Sequence, residues 1–573
     1  MRNFEGLIQN PANLTTPIAR AVPILGGRTA NPVPFFQSLL QNGSVYGGPG
    51  ALYFFRCPPA SGGTHGRTRE SIPCPAQKTH KPLSNKFSIG WFGAPSSRRD
   101  GGFLTVFAGP HWVVTGEGKM PEVARVSLVH EVAASGHSTV TRLAIALVAL
   151  FTAASHAAES SPEIRPPEIP SLTKEVAASH GSDPATIAIQ QALDAVHDAG
   201  GGRVVLATGR YVSGPLVMGS KTELHLSKGA VLVMSDKDSD FPAEKNRRPA
   251  FLSANNAHDI RISGEGSIEG QGGRWWKVFL DEKARGIKDA PRRPQLIAIS
   301  RCQRVEVEGI STIDPPNTHY SFKDCQELAI RGIKAIAPDE SPNTDALNLS
   351  GARNVLIERC HISTGDDNIV LLCGAAKKKG VPEVENVTIR DCTLGFGHGL
   401  SIGSYTSGGV RNVIAENINF EGTTSGIRMK AWRDRGGVVE GIHYRNIAMK
   451  NVRYPVWITS YYPKPPAHPS MDLPFSGRSL NPVWRDISIE NLTSTGSPNS
   501  ILLWGLPDEP IDGVTLKNAK FASAAGALVF HAKDIGFDEV SIDSGALPAV
   551  RHFDAEIQGL IGDNYDDKPV KFQ

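Results

Sequence analysis

No Cys-x-x-Cys pair occurs in the 573 residues, so a zinc knuckle or a thioredoxin-like redox site has no support. Seven cysteines stand singly along the chain: Cys57, Cys74, Cys302, Cys325, Cys360, Cys373 and Cys392. The last five fall in a β-rich region, where an odd number leaves at least one thiol unpaired, and buried packing is expected for them. An excess of one charge is lacking as well, since 60 basic side chains face 57 acidic ones. The formal +3 offers no basic stripe, so nucleic acid is not expected as a partner. Large rings are few, with 22 Phe, 10 Tyr and 8 Trp beside 58 glycines. Many turns and few rings suit a coil-on-coil β architecture better than a helical bundle.

No apolar run approaches the roughly 20 residues that a membrane-spanning helix needs. The strongest, 143–151, follows Arg142 and leads into Ala153, Ala154, Ser155, His156, Ala157 and Ala158. A basic residue, a short apolar core and small residues at Ser155 and Ala157 form the pattern of a cleaved secretory signal, placed at 142–157. Residues 1–141 show no sustained periodicity and carry clusters such as Cys57-Pro58-Pro59. They are expected to be a disordered upstream extension from a start assigned too early, with the true start at Met120 or later. The mature chain, 158–573, is then expected to be periplasmic or secreted, monomeric, and free of stable membrane insertion once the signal is cleaved.

After a Pro-rich linker one helix is predicted. Asp183 is placed as its N-cap, with Pro184 at the first helical position. Ile189, Leu193 and Val196 share a face, and Gly200, Gly201 and Gly202 end the helix. Short apolar runs follow, and a helix ahead of a long β array reads as a cap on an open first coil. From about 258 onward a turn residue followed by apolar-x-apolar recurs. Its instances begin at Asp259-Ile260, Arg304-Val305, Glu327-Leu328, Asn354-Val355, Asn386-Val387, Asn412-Val413, Gly441-Ile442, Asp486-Ile487 and Gly513-Val514. The spacings are 45, 23, 27, 32, 26, 29, 45 and 27 residues, and each 45 reads as two coils with one poorly marked. A constant strand motif with irregular periods indicates coils of fixed cross-section carrying loops of variable length. The fold expected is all-β, a single-stranded right-handed parallel β-helix with an N-terminal capping helix. Its cap would occupy about 170–245 and its coils about 250–560.

In such a solenoid, equivalent positions of successive coils stack roughly 4.7–4.9 Å apart. Aligning the coil from Asn354 with that from Asn386 sets Cys360 over Cys392, Gly365 over Gly397 and Asp366 beside His398. Asp345 lies 21 residues before Asp366, close to one uninterrupted coil. One coil later come Arg428 and Lys430, two apart on a strand and so on one face. Each element alone has a plain structural explanation: a solvated turn, a satisfied histidine, a charged strand face. Together they place Asp345, Asp366, Asp367, His398, Arg428 and Lys430 along one line. Glycoside hydrolysis needs one carboxyl group to protonate the leaving oxygen and another to activate water. Crowded carboxyls raise at least one proton affinity. Two adjacent cations suit an anionic sugar, so a uronic acid is the substrate implied.

Asn343-Thr344-Asp345, Gly365-Asp366-Asp367, Gly397-His398-Gly399 and Arg428-Met429-Lys430 resemble the four signatures of the polygalacturonases, glycoside hydrolase family 28. Ile268-Glu269-Gly270-Gln271-Gly272 with Trp275-Trp276, and Thr459-Ser460-Tyr461-Tyr462, are similar too, and the resemblance spans roughly 170–560. It implies Asp366 as general acid, Asp345 with Asp367 as the base pair holding water, and His398 as a support for the acid. It further implies that Arg428, Lys430 and Tyr461 hold the substrate carboxylate, that Asn343 hydrogen-bonds substrate, and that the reaction inverts configuration without metal or cofactor. Met429 and Asn368 depart from the more usual Ile and Cys, and both are expected to be neutral to the chemistry. The prolines between 463 and 482 read as a stiff loop beside Tyr461 that walls the cleft and favours exo-action. The competing readings are a rhamnogalacturonan or related pectin hydrolase, a calcium-dependent pectate lyase, and a non-catalytic carbohydrate-binding β-helix. A lyase would leave an ultraviolet-absorbing product end. A binding solenoid would show aromatic platforms and eroded carboxylates.

Overall fold

The computed structural model describes residues 103–106, 125–128, 162–178, 185–374, 382–475, 477, 480–545, 548–566 and 569–570. The chain divides into two units, 1–140 and 141–573. In the first, the strands Phe103–Val106 and Arg125–Leu128 pair in parallel. The rest of the expected extension, and the expected signal at 142–157, lie outside the described residues.

The second unit is a right-handed parallel β-helix in which every named strand pairing is parallel. Each coil contributes to three sheets, as in the strands Leu347–Ser350, Arg353–Glu358 and His361–Ser363. All nine marked starts stand in register on one sheet, from Ile260 through Val305, Leu328, Val355, Val387, Val413, Ile442 and Ile487 to Val514. This corrects the reading of the 45-residue gaps. Ile260 pairs directly with Val305 and Ile442 with Ile487, so each gap is one coil bearing a long excursion. The first excursion contains a helix that the sequence pattern did not reveal, and the second contains the Pro-rich loop.

The turn residue before each start explains the motif. Asp259, Arg304, Glu327, Asn354, Asn386, Asn412, Gly441, Asp486 and Gly513 all take φ between 54° and 66°. Asn and Asp tolerate this left-handed corner because their short side chains bond locally. Some also bond along the axis: Asn386 Nδ2 donates to Asn354 Oδ1 at 3.0 Å and Asn412 Nδ2 to Asn386 Oδ1 at 3.1 Å. The apolar residues that follow form a continuous interior row, none more than 1% exposed. Burying each contributes about 1.5–3 kcal/mol. On the same sheet a second row alternates in sign across nine coils: Glu308, Arg331, Glu358, Arg390, Glu416, Arg445, Glu490, Lys517 and Asp538.

The capping helix, α1, spans Thr186–Asp198 and buries Ile189, Leu193 and Val196 as expected. Its cap position is Ala185, without a side-chain cap bond, while Asp183 and Pro184 lie outside the described residues. The strand Thr173–Val176, hidden behind the Pro-rich linker, pairs with Gly202–Leu206 and extends the first coil. A second helix, α2, spans Gly273–Ala284, with Trp275 buried and Trp276 Nε1 donating to Pro315 O at 2.9 Å. Cys302, Cys325, Cys360, Cys373 and Cys392 are free thiols, and all five are buried. No helix among the described residues is long and apolar enough to cross a membrane.

Candidate active site

One sheet of the solenoid positions the site. Leu347, Ile369, Leu400, Ile427 and Val456 are in register on its successive strands. Two residues ahead of the first three stand Asp345, Asp367 and His398. Backbone bonds continue the ladder into these turns, with Ala346 N donating to Asp367 O at 3.0 Å and His398 N to Asp366 O at 2.9 Å. His398 therefore shares its rung with Asp367, one residue off the expected alignment with Asp366. The reason is local. The two coils keep a 32-residue offset at Asn354 and Asn386 and at His361 and Thr393, but 31 at Ile369 and Leu400, so one residue is lost at the corner between.

The turns need their glycines. A Cβ on Gly365 would collide with the Ser341 carbonyl. One on Gly397, at φ 123°, would lie 2.6 Å from Asp366 O.

The side chains converge. Lys430 Nζ lies 2.8 Å from Asp367 Oδ2, and Arg428 Nη1 lies 3.2 Å from Oδ1. Ser401 Oγ donates to the same Oδ1 at 2.6 Å. His398 Nδ1 stands 3.0 Å from Asp366 Oδ1 and 3.7 Å from Asp367 Oδ1, although neither approach is aligned as a hydrogen bond. Asn343 Nδ2 donates to Asp366 Oδ2 at 3.3 Å, and Asn348 Nδ2 to Asp345 Oδ2 at 2.9 Å. Arg428 also lies 5.5 Å over the Trp457 ring, its neighbour in register.

These surroundings drive two of the carboxyls apart. Burial pushes Asp345 up to about 8, and the negative charges of Asp366 and Asp367 push the same way. Burial acts on Asp367 too, but the charges of Lys430, Arg428 and His398 overcome it and hold this carboxyl down at about 2. The site thus retains one proton near neutrality beside a firmly ionised neighbour.

The sheet brings together Asn343, Asp345, Asp366, Asp367, His398, Arg428 and Lys430. Tyr461 is not among them. It is 6% exposed and packs against Trp432 at 5.3 Å and Trp504 at 6.0 Å in a separate aromatic cluster. The next ring, Tyr462, lies 5.5 Å from Lys430 Nζ. Sequence reasoning also missed Arg293, whose Nη2 donates to Asn343 Oδ1 at 2.8 Å. Nothing in the string Pro291-Arg292-Arg293 marks it, since a basic pair in a loop reads as solvated. Asn368, expected to be neutral to the chemistry, bonds across a turn of the site. Fully buried, it donates to Phe396 O and accepts from Gly399 N, both at 2.7 Å, closing the turn that carries His398.

Among the described residues, Asp366, Asp367 and His398 form the group able to offer ligands to a metal ion. Two cations already neutralise Asp367, so a divalent ion there would meet like charge.

Three carboxyls, one retained proton and a pair of cations in a parallel β-helix define a glycoside hydrolase acting on an acidic polymer. The family model for glycosyl hydrolases family 28 matches residues 221–523, just over half of the chain. An endo-polygalacturonase of Pectobacterium carotovorum subsp. carotovorum is 32% identical over 406 residues, covering 67% of this chain and 95% of the relative. The chain belongs to the glycosyl hydrolases family 28. Among solved structures, the polygalacturonase of Erwinia carotovora ssp. carotovora superposes with a TM-score of 0.55 at 27% identity, covering 71% of this chain and all of that one. The family 28 exopolygalacturonase of Yersinia enterocolitica shares the fold, with a TM-score of 0.59 at 20% identity over 69% of this chain and 79% of that one.

Proposed function

We propose that this enzyme hydrolyses α-1,4-galacturonosyl linkages of polygalacturonate with inversion of configuration. The observation that carries the reading is the convergence of Arg428 and Lys430 on Asp367, beside Asp366 and Asp345. A neutral sugar would need no such pair, whereas a galacturonate carboxylate can share it. The names of the similar polygalacturonases support the same substrate.

The general acid in this reading is Asp366, whose side chain is more exposed than that of Asp367. Asp366 protonates the glycosidic oxygen as the bond to the anomeric carbon breaks. A water held by Asp345 and Asp367 attacks from the opposite face and gives its proton to this pair. Asp345 can accept only after the proton its surroundings hold in the free site has passed to Asp366, whereas Asp367, held ionised by Lys430 and Arg428, is free to accept directly. His398 beside Asp366 supports the acid, Asn343 hydrogen-bonds substrate, and Tyr462 takes the place at the cations that was expected of Tyr461.

The Pro-rich loop supports exo-action because it is strapped to the body beside Tyr462. Trp504 Nε1 donates to Asp472 Oδ2 at 2.8 Å, and Val570 N donates to Ala467 O at 2.7 Å. Early release of a ladder of oligomers in place of monomer or dimer would overturn that part. A secreted or periplasmic monomer completes the reading, checked by N-terminal sequencing of exported protein and by its elution volume.

The deciding test incubates polygalacturonic acid with wild type and with Asp366→Asn. Reducing ends should appear without ultraviolet absorbance, and the variant should lose turnover by about 10²–10⁴-fold while remaining folded. Absorbing product ends would replace hydrolysis with elimination. Anomers resolved by NMR in the first minutes should be inverted.

A further inference from the structure

Arg293 belongs to no element of the proposed chemistry, yet it binds residues of two loops that lead into the site. Its Nη1 donates to Pro316 O and to Pro342 O, both at 2.8 Å, while Nη2 donates to Asn343 Oδ1 at 2.8 Å. The guanidinium carbon also lies 4.1 Å over the ring of Phe279 on α2. One side chain therefore ties the loop ahead of Ile297–Ser300 to the loops that enter the next two strands of that sheet, Tyr320–Lys323 and Leu347–Ser350.

A side-chain amide can present either its oxygen or its nitrogen to a neighbour. Arg293 has donors only and occupies Asn343 Oδ1, so the nitrogen must face Asp366 Oδ2, as it does at 3.3 Å. Asn343 sits at φ 56°, and the loop it occupies is held through the Pro342 carbonyl by the same guanidinium.

We propose that Arg293 is a positioning residue of this site, fixing the Asn343 amide so that it gives an N–H to Asp366. A planar fork with donors in fixed directions is required, and lysine cannot supply it. The proposal deepens the hydrolase reading and rests on Asp366 being the acid.

The test is a double-mutant cycle between Arg293→Lys and Asn343→Ala, read as kcat on polygalacturonate, with Arg293→Gln as a second form of the first change. Arg293→Lys keeps the charge and should lower kcat about tenfold in the wild-type background. In the Asn343→Ala background it should change kcat less than about twofold, because the partner through which it acts is gone. Equal losses in both backgrounds would overturn the proposal, as would a wild-type kcat in Arg293→Lys. If Arg293→Gln fails to fold, the lysine variant alone decides. The Asn343 side-chain amide protons, followed by NMR without substrate, should shift and broaden in Arg293→Lys. Unmoved resonances would also refute the contact. A wild-type enzyme inactive on polygalacturonate would sink the substrate reading and leave this NMR comparison to judge Arg293.

Discussion

Asp345 and Asp367 occupy adjacent rungs of one row and are driven to opposite protonation states, one pushed up to about 8 and the other held at about 2. The difference lies in their neighbours. Asp367 has Lys430 and Arg428 within ion-pair distance, whereas Asp345 has the Asn348 amide and two negative carboxyls. In the unfolded chain Asp345 would ionise near 3.9. Between that value and about 8 the folded state holds the extra proton, so its contribution to stability falls as pH rises across that window. Asp345→Asn should therefore gain melting temperature over wild type at pH 8 and much less at pH 4, measured by thermal unfolding at the two pH values. Equal differences at both would contradict the protonation assigned here.

Lys430→Met leaves Asp367 with one cation and the substrate carboxylate with one partner. KM on polygalacturonate should rise about tenfold or more. Asp367 is depressed in the folded state, so the stability it contributes is present above the ordinary carboxylate range and vanishes as pH falls toward about 2. The melting temperature lost in Lys430→Met should be largest at neutral pH and shrink toward pH 2.

Asn368 was expected to be neutral to the chemistry, but its two 2.7 Å bonds span the turn from Phe396 to Gly399. Asn368→Ala should leave Phe396 O and Gly399 N without these partners, costing about 1–3 kcal/mol in urea unfolding. It should also lower kcat, because His398 sits in the loosened turn. Asn368→Asp keeps an acceptor for Gly399 N and should lose less activity than alanine. Equal activity in all three proteins would remove any role for the turn.

Much of the fold was legible because coils repeat. The left-handed corner favours Asn, Asp or Gly before an apolar start, and that preference surfaces as text at seven of the nine positions from Asp259 to Gly513, Arg304 and Glu327 being the other two. The two long coils misled because nothing in a string distinguishes a missing marker from a loop that leaves and returns. The site residues were legible for the same reason, since register converts equal spacing into proximity. Their fine placement was not. The residue lost between Leu394 and Leu400 moves the backbone of His398 onto the rung of Asp367, while its Nδ1 stays nearer Asp366 Oδ1, at 3.0 Å against 3.7 Å. Tyr461 and Tyr462 differ only in which way a turn throws them. Arg293 reaches the site from two strands away along the sheet, a contact that no local pattern records.

The alternating row from Glu308 to Asp538 gives this solenoid a parity. Excising the coil of Glu490 would set Arg445 against Lys517, whereas excising the coils of both Glu490 and Lys517 would set Arg445 against Asp538. Like charges directly opposite each other on adjacent strands are destabilising, while opposite charges contribute roughly 0.2–1 kcal/mol. Change in length is thus tolerated best in even steps, and duplication or loss of turns in pairs preserves the pattern that a single event breaks.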